Sequence, residues 1–156
     1  MLREFVEKNH FLFAREASSW QEAIRMSCST LEADGTVGPG YAQEIIDCIE
    51  KYGPYIVIMP NVAIPHSQEG GSAVYRTDIG FMKLEKPVSF DPEDPSLDAQ
   101  LFFTLASCDP NQHLENMLRF SEMMCREEVV EALLAATGPQ DLLAIQKTYL
   151  DEPESV

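Results

Sequence analysis

Gly53-Pro54-Tyr55-Ile56-Val57-Ile58-Met59-Pro60-Asn61-Val62-Ala63-Ile64-Pro65-His66-Ser67 carries an apolar segment into a proline-bounded elbow and ends on a histidine. Tyr55 to Met59 is continuous, apolar and rich in β-branched residues. That is the pattern of a strand covered on both faces, so the chain is predicted to enter the core here. Pro60 and Pro65 each fix φ near about −65° and drive the preceding residue out of helical geometry. His66 is therefore offered from a stiff, extended segment. Stiffness matters for a group that accepts a chemical moiety from one protein and hands it to another, because a misplaced reacting atom is expensive. A histidine that merely ends a strand fits the same local pattern, so the rest of the chain must separate the two.

A chain of 156 residues suits one domain with a substantial core. Residues 1–150 are expected to form it, with 151–156 as an acidic tail. Eleven Lys and Arg against 26 Asp and Glu leave a net charge of −15. This balance argues against nucleic acid or an anionic membrane surface as a partner; it serves solubility and would hasten encounter with a basic protein. No basic-then-apolar leader opens the sequence, and no apolar run approaches the ~20 residues that span a bilayer. A soluble, cytoplasmic protein without membrane insertion is expected. Cys28, Cys48, Cys108 and Cys125 form no C-x-x-C pair. Reduced core thiols are predicted, with neither a zinc site nor a disulfide scaffold.

On either side of the opening stretch the chain reads as alternating layers. His10 to Ala14 is a short first strand with His10 at its end. Ser19 and Glu22 make a capping-box pattern for a helix whose buried stripe is Trp20, Ala23, Ile24, Ser27, Cys28 and Leu31. Asp34-Gly35 stops it. Pro39 suits an early position of a second helix with Tyr41, Ile45, Ile46, Ile49 and Tyr52 inward, ended by Gly53-Pro54. Gln68 to Ser72 is a glycine-bearing loop beside His66. Thr77 to Leu84 is a strand with Ile79 and Phe81 on one face and Gly80, Met82 and Leu84 on the other. Asp91 to Asp98 is too polar for the core, whereas Ala99 to Ala106 is the most hydrophobic strand and should lie centrally. Asp109 caps a helix with Pro110 first and Gln112 placed to complete the box. Its predicted stripe is Leu114, Met117, Leu118, Ser121 and Cys125. Two further helices carry Val129, Val130, Leu133 and Leu134, then Leu142, Leu143 and Ile145. The order β-α-α-β-β-β-α-α-α predicts an α/β fold of the α+β kind: a three-layer α/β/α sandwich around a mixed sheet.

His113 falls in the first turn of the helix that follows the most apolar strand. If the strands leading to His66 and His113 end at one edge of the sheet, the two imidazoles share a pocket walled by a helix N-terminus. Such a terminus favours anions and a neutral imidazole. A neutral histidine is a competent nucleophile toward phosphorus, and the resulting dianionic group needs hydrogen-bond donors. Arg76 is the only cation close in sequence to His66. Backbone N–H groups, His113 and Ser67 are therefore the expected donors. Other chemistries stay open on these residues alone. Two histidines and many carboxylates would serve a hydrolytic metal, without an H-E-x-x-H spacing to define its ligands. Cys108 would serve a Cys–His pair, without a sign of activation. Every element also has a structural role, as in a non-catalytic interaction module.

Asn61-Val62-Ala63-Ile64-Pro65-His66, Lys86-Pro87-Val88 and the Asp109 to Leu114 segment together resemble the enzyme IIA domain of the mannitol and fructose class of the bacterial phosphoenolpyruvate-dependent phosphotransferase system. The similarity spans nearly the whole chain. Trp20, the Gly53-Pro54-Tyr55 lead-in and the Pro65-His66 step bring it nearest to the ascorbate-specific branch. The resemblance implies a phosphocarrier without cofactor or metal. His66, phosphorylated on its tele nitrogen, would take phosphate from phospho-HPr and pass it to a cysteine of enzyme IIB, while the membrane enzyme IIC imports the sugar. His113 would be the second pocket histidine, which stabilises the phosphoryl group. A module that uses the same phosphorylation to regulate another protein is the alternative. One departure stands out: where mannitol-type members carry a pocket arginine near the end of the second helix, this sequence has Cys48.

Overall fold

The computed structural model describes residues 1–68 and 72–151. Positions 69–71 of the glycine-bearing loop, and all of the expected acidic tail but Asp151, lie outside the described residues. In chain order the elements are α1 (Leu2–Glu7), β1 (Phe11–Ala14), α2 (Trp20–Ala33), α3 (Tyr41–Tyr52), β2 (Val57–Met59), β3 (Asn61–Ala63), β4 (Asp78–Val88), β5 (Ala99–Ala106), α4 (Pro110–Met124), α5 (Glu127–Ala135) and α6 (Pro139–Ile145). A π-helical turn, Gln146–Leu150, follows.

The strands form one mixed sheet in the order β1-β4-β5-β3-β2. β5 is central, as its hydrophobicity predicts. It runs antiparallel to β4 and parallel to β3. One face packs on α2 and α3 through Ile24, Leu31, Ile45, Met82, Leu84 and Phe102. The opposite face packs on α1, α4, α5 and α6 through Phe5, Phe81, Phe103, Phe120, Val129 and Leu142. This is the predicted three-layer sandwich, and the alternation of Ile79 and Phe81 against Met82 and Leu84 assigns β4's two faces as expected. Gly80 permits the close approach of α2, since a Cβ there would sit 3.2 Å from Leu31 Cγ.

Several local features differ from expectation. α1 precedes the predicted elements; six residues with Leu2 and Phe5 buried are too few for a helical period to show. Tyr55 to Met59 is not a strand buried on both faces: only Val57–Met59 is extended, at the sheet edge, with Ile58 46% exposed. The chain reverses at Pro60-Asn61, and β3 takes the inner place beside β5, antiparallel to β2. Pro39 lies in a turn before α3, whose N-cap is Gly40. Cys28 and Cys48 are buried, but Cys108 and Cys125 are exposed, so only the first pair are core thiols. His10 does stand at the start of β1, buried, with its Nε2 hydrogen-bonded to the Asp34 carboxylate.

α4 is turned relative to its predicted stripe. Asn116, Phe120, Met123 and Met124 face inward, whereas Leu114 and Leu118 are exposed. The sequence carries apolar residues on two faces of this helix, and periodicity alone could not choose between them. The aromatic face wins: Phe120 packs edge-on against Phe103 of β5, with centroids 5.0 Å apart.

The reversal into β3 uses Asn61 at φ +70°, a left-handed conformation that Asn tolerates and β-branched residues do not. Asn61→Val should therefore cost about 1–2 kcal/mol, whereas Asn61→Gly should remain near wild type. Urea denaturation read as a shift of midpoint at constant slope checks this.

Candidate functional site

The parallel pairing of β3 with β5 (Val62↔Leu101, Ala63↔Phe102) brings the chain out of both strands at the same edge of the sheet. The segment after β3 carries His66, and the segment after β5 leads to α4 and His113. The two histidines line one cleft of about 260 Å³ together with Tyr41, Ser67, Val74, Leu105 and Ser107. The shared pocket that the sequence made conditional on strand direction is present.

The backbone before His66 is held from both sides. Ile64 N donates to Ile56 O at 2.8 Å, and Leu105 N donates to Pro65 O at 2.9 Å. The Tyr55 hydroxyl donates to His66 O. Its ring meets the imidazole edge-on, with centroids 5.1 Å apart and planes at 85°. Burial pushes the Tyr55 phenol far above its ordinary pKa, so it stays protonated and able to donate. His66 Nδ1 lies 2.6 Å from Ile64 O. A carbonyl can only accept, so Nδ1 carries the proton and Nε2 keeps its lone pair. Burial lowers the His66 pKa below 6.5, against the opposing bond to Ile64 O, and neighbouring His113 depresses it further. The imidazole is therefore neutral at pH 7.

At the entrance to α4, where the sequence led us to expect an anion-binding terminus, the backbone donors make internal hydrogen bonds. The Asp109 carboxylate accepts from Asn111 N at 3.0 Å and Gln112 N at 3.3 Å. Thr77 Oγ1 accepts from Cys108 N and Asp109 N, both at 2.8 Å. His113 N donates to Asp109 O at 2.9 Å, and Pro110 has no N–H. Each backbone donor from Cys108 to His113 is thus occupied. Gln112 does not close a capping box; its Nε2 donates to Asn116 Oδ1 at 3.1 Å.

Arg76 is not directed to the cleft. It donates to Asp34 O at 2.5 Å and pairs with Asp34 Oδ1 at 3.3 Å. Cys48, for which the resemblance implied the place of a pocket arginine, is buried with its Sγ 3.9 Å from Ser67 Oγ. The described lining residues include no Lys or Arg. Sequence reasoning missed Ser107, although a hydroxyl in the loop after the central strand and just before an N-cap was a usable signal. It also missed Tyr55 as a clamp, because nothing in sequence pairs that ring with a residue eleven positions on.

A mixed sheet that brings a neutral, oriented imidazole and a second histidine into one open cleft suits a protein that carries a phosphoryl group on histidine. The chain belongs to the family described as phosphoenolpyruvate-dependent sugar phosphotransferase system, EIIA 2, which it matches over residues 4–148, and it is a phosphotransferase of the phosphohistidine-carrier kind. It is 34% identical over 140 residues to the ascorbate-specific PTS system EIIA component of Salmonella typhimurium, covering 88% of each chain. It is similar in structure to the mannitol-specific cryptic phosphotransferase enzyme IIA of Escherichia coli, with a TM-score of 0.80, 29% identity, and coverage of 92% of this chain and 96% of that one. It also resembles the enzyme IIA in the Escherichia coli complex of mannitol enzyme IIA with phosphorylated enzyme IIB, at a TM-score of 0.74 and 26% identity over 88% of this chain and 94% of that one. Among the described residues no helix is long and apolar enough to cross a membrane.

The depressed pKa of His66 sets a sign. Between 6.5 and the lower native value the unfolded chain binds the proton and the native one does not. The stabilising contribution is therefore complete above 6.5 and lost as pH falls through that window. An NMR titration of the imidazole should give a midpoint below 6.5, and a His113→Ala variant should raise it toward 6.5.

Proposed function

We propose that His66 is the phosphoacceptor and that its Nε2, the tele nitrogen, forms the bond to phosphorus. The hydrogen bond from Nδ1 to Ile64 O carries this assignment, because it places the proton on one ring nitrogen and the reactive lone pair on the other. In the forward step Nε2 attacks the phosphoryl group of phospho-HPr; a new N–P bond forms as the donor's N–P bond breaks. In the second step a cysteine sulfur of enzyme IIB attacks the same phosphorus, and His66 leaves with the electron pair. Each step passes the phosphoryl group without hydrolysis, so the carrier returns unchanged.

His113 is assigned the supporting role, donating to the phosphoryl oxygens from the opposite wall. The amides at the α4 entrance are bonded internally and the described lining has no Lys or Arg; among the described lining residues, the side chains of His113, Ser67 and Ser107 are assigned as donors. Ascorbate, taken up through a membrane enzyme IIC, is the proposed cargo of the system. It is supported by the names of relatives 33–34% identical to this chain. The enzyme IIB acceptor is supported by the likeness to the mannitol enzyme IIA seen bound to phosphorylated enzyme IIB.

Incubation with phosphoenolpyruvate, enzyme I and HPr should yield an acid-labile, alkali-stable phosphoprotein. Labelling that persists in His66→Ala would overturn the assignment. His113→Ala should still be labelled, with transfer slowed on the order of a hundredfold; complete loss of labelling there would contradict the division of roles. Ascorbate uptake in a strain lacking the gene tests the cargo separately.

A further inference from the structure

We propose that Thr77 is a positioning residue for phosphoryl transfer: its hydroxyl latches the loop at Ser107 to Asp109 onto the start of β4 and so fixes where α4 presents His113 in the cleft. This role rests on His66 and His113 acting as assigned above.

A hydroxyl offers two acceptor sites and one donor hydrogen, and Thr77 uses all three on this loop. Oγ1 accepts from Cys108 N and from Asp109 N at 2.8 Å each, and donates to Cys108 Sγ at 3.5 Å. Two adjacent amides held by one atom fix the loop's orientation as well as its distance. The anchor itself is rigid, because the next residue, Asp78, begins β4 and pairs with Ala106 at the end of β5. The loop thus leaves β5 and is returned at once to the strand beside it.

Position passes directly to the helix. Asp109 is at once the second residue held by Thr77 and the N-cap of α4, and its carbonyl accepts from His113 N at 2.9 Å. Thr77, Asp109 and His113 form a continuous chain of contacts with one side-chain link at its base. Pro110 has no N–H to tie the loop down elsewhere. Asp109 and Cys108 lie at the surface, so water can take over both amide bonds when the hydroxyl is removed. The loss then falls on the placement of His113 more than on the stability of the fold.

Thr77→Val removes the hydroxyl while keeping the shape, and Thr77→Ser keeps the hydroxyl. At saturating phospho-HPr, Thr77→Val should slow phosphorylation on the order of tenfold or more with KM unchanged, while Thr77→Ser stays close to wild type. In the unphosphorylated protein, the His66 titration midpoint of Thr77→Val should move toward that of His113→Ala, and Thr77→Ser should leave it in place. This NMR readout needs no phosphoryl donor, so failure of wild type to be labelled would strike the carrier assignment and leave the latch to be judged by titration. A wild-type rate and midpoint in Thr77→Val would overturn the proposal. So would an equal loss in Thr77→Ser, which would mark a purely structural position.

Discussion

The parallel hydrogen bonding of β3 to β5 is the constraint on which the site depends. Parallel neighbours end at the same edge of a sheet, so whatever follows each strand must meet there. β3 has only three residues, yet its direction decides whether His66 faces His113 or lies at the far end of the molecule. That direction comes from the reversal at Pro60-Asn61, which folds the apolar run back on itself. The ladder then continues beyond the formal end of β3 through Leu105 N and Pro65 O. Pro65 can accept on the β5 side, and its missing N–H costs nothing where no further partner is offered.

Most of the architecture was legible in the residues, because long amphipathic helices and a fully apolar central strand declare themselves by period and composition. The cap at Ser19, the stop at Gly53 and the N-cap at Asp109 are local chemistry, and each stands where it was read. What escaped was decided by partners distant in sequence. The edge position of Val57–Met59 depends on β3 taking the inner slot, and an apolar run looks the same in either place. The rotation of α4 depends on Phe103, which receives Phe120. Both histidines of the cleft were found as residues on rigid exits from strands. Tyr55 and Thr77 were not, because their work is done by single hydroxyls reaching across the fold.

On the proposed reading, the cleft reconciles two opposing needs of a carrier. It must hold a strongly charged group, yet release it to another protein within a catalytic cycle. A buried arginine would hold tightly; the described lining of the cleft includes no Lys or Arg, and Arg76 is engaged with Asp34. The amides at the α4 entrance are committed to internal bonds. The described lining offers neutral hydroxyl and imidazole groups, and as donors these stabilise a dianion less than full charges do. A neutral His66 at physiological pH follows from the same economy of charge, since burial and a neighbouring imidazole both oppose protonation.

The edges of the sheet carry a different consequence. The long strands β4 and β5, of 11 and 8 residues, are interior, and the two rims are β1 with four residues and β2 with three. β2 is irregular between Val57 and Met59 and ends at Pro60. Where β4 runs on past β1 it presents Glu85, Lys86 and Pro87 to solvent. Short, kinked, charged or proline-bearing rims are poor templates for a foreign strand. The fold thus guards against self-association through its backbone, so that encounters with other proteins fall to side-chain surfaces and not to open strand edges.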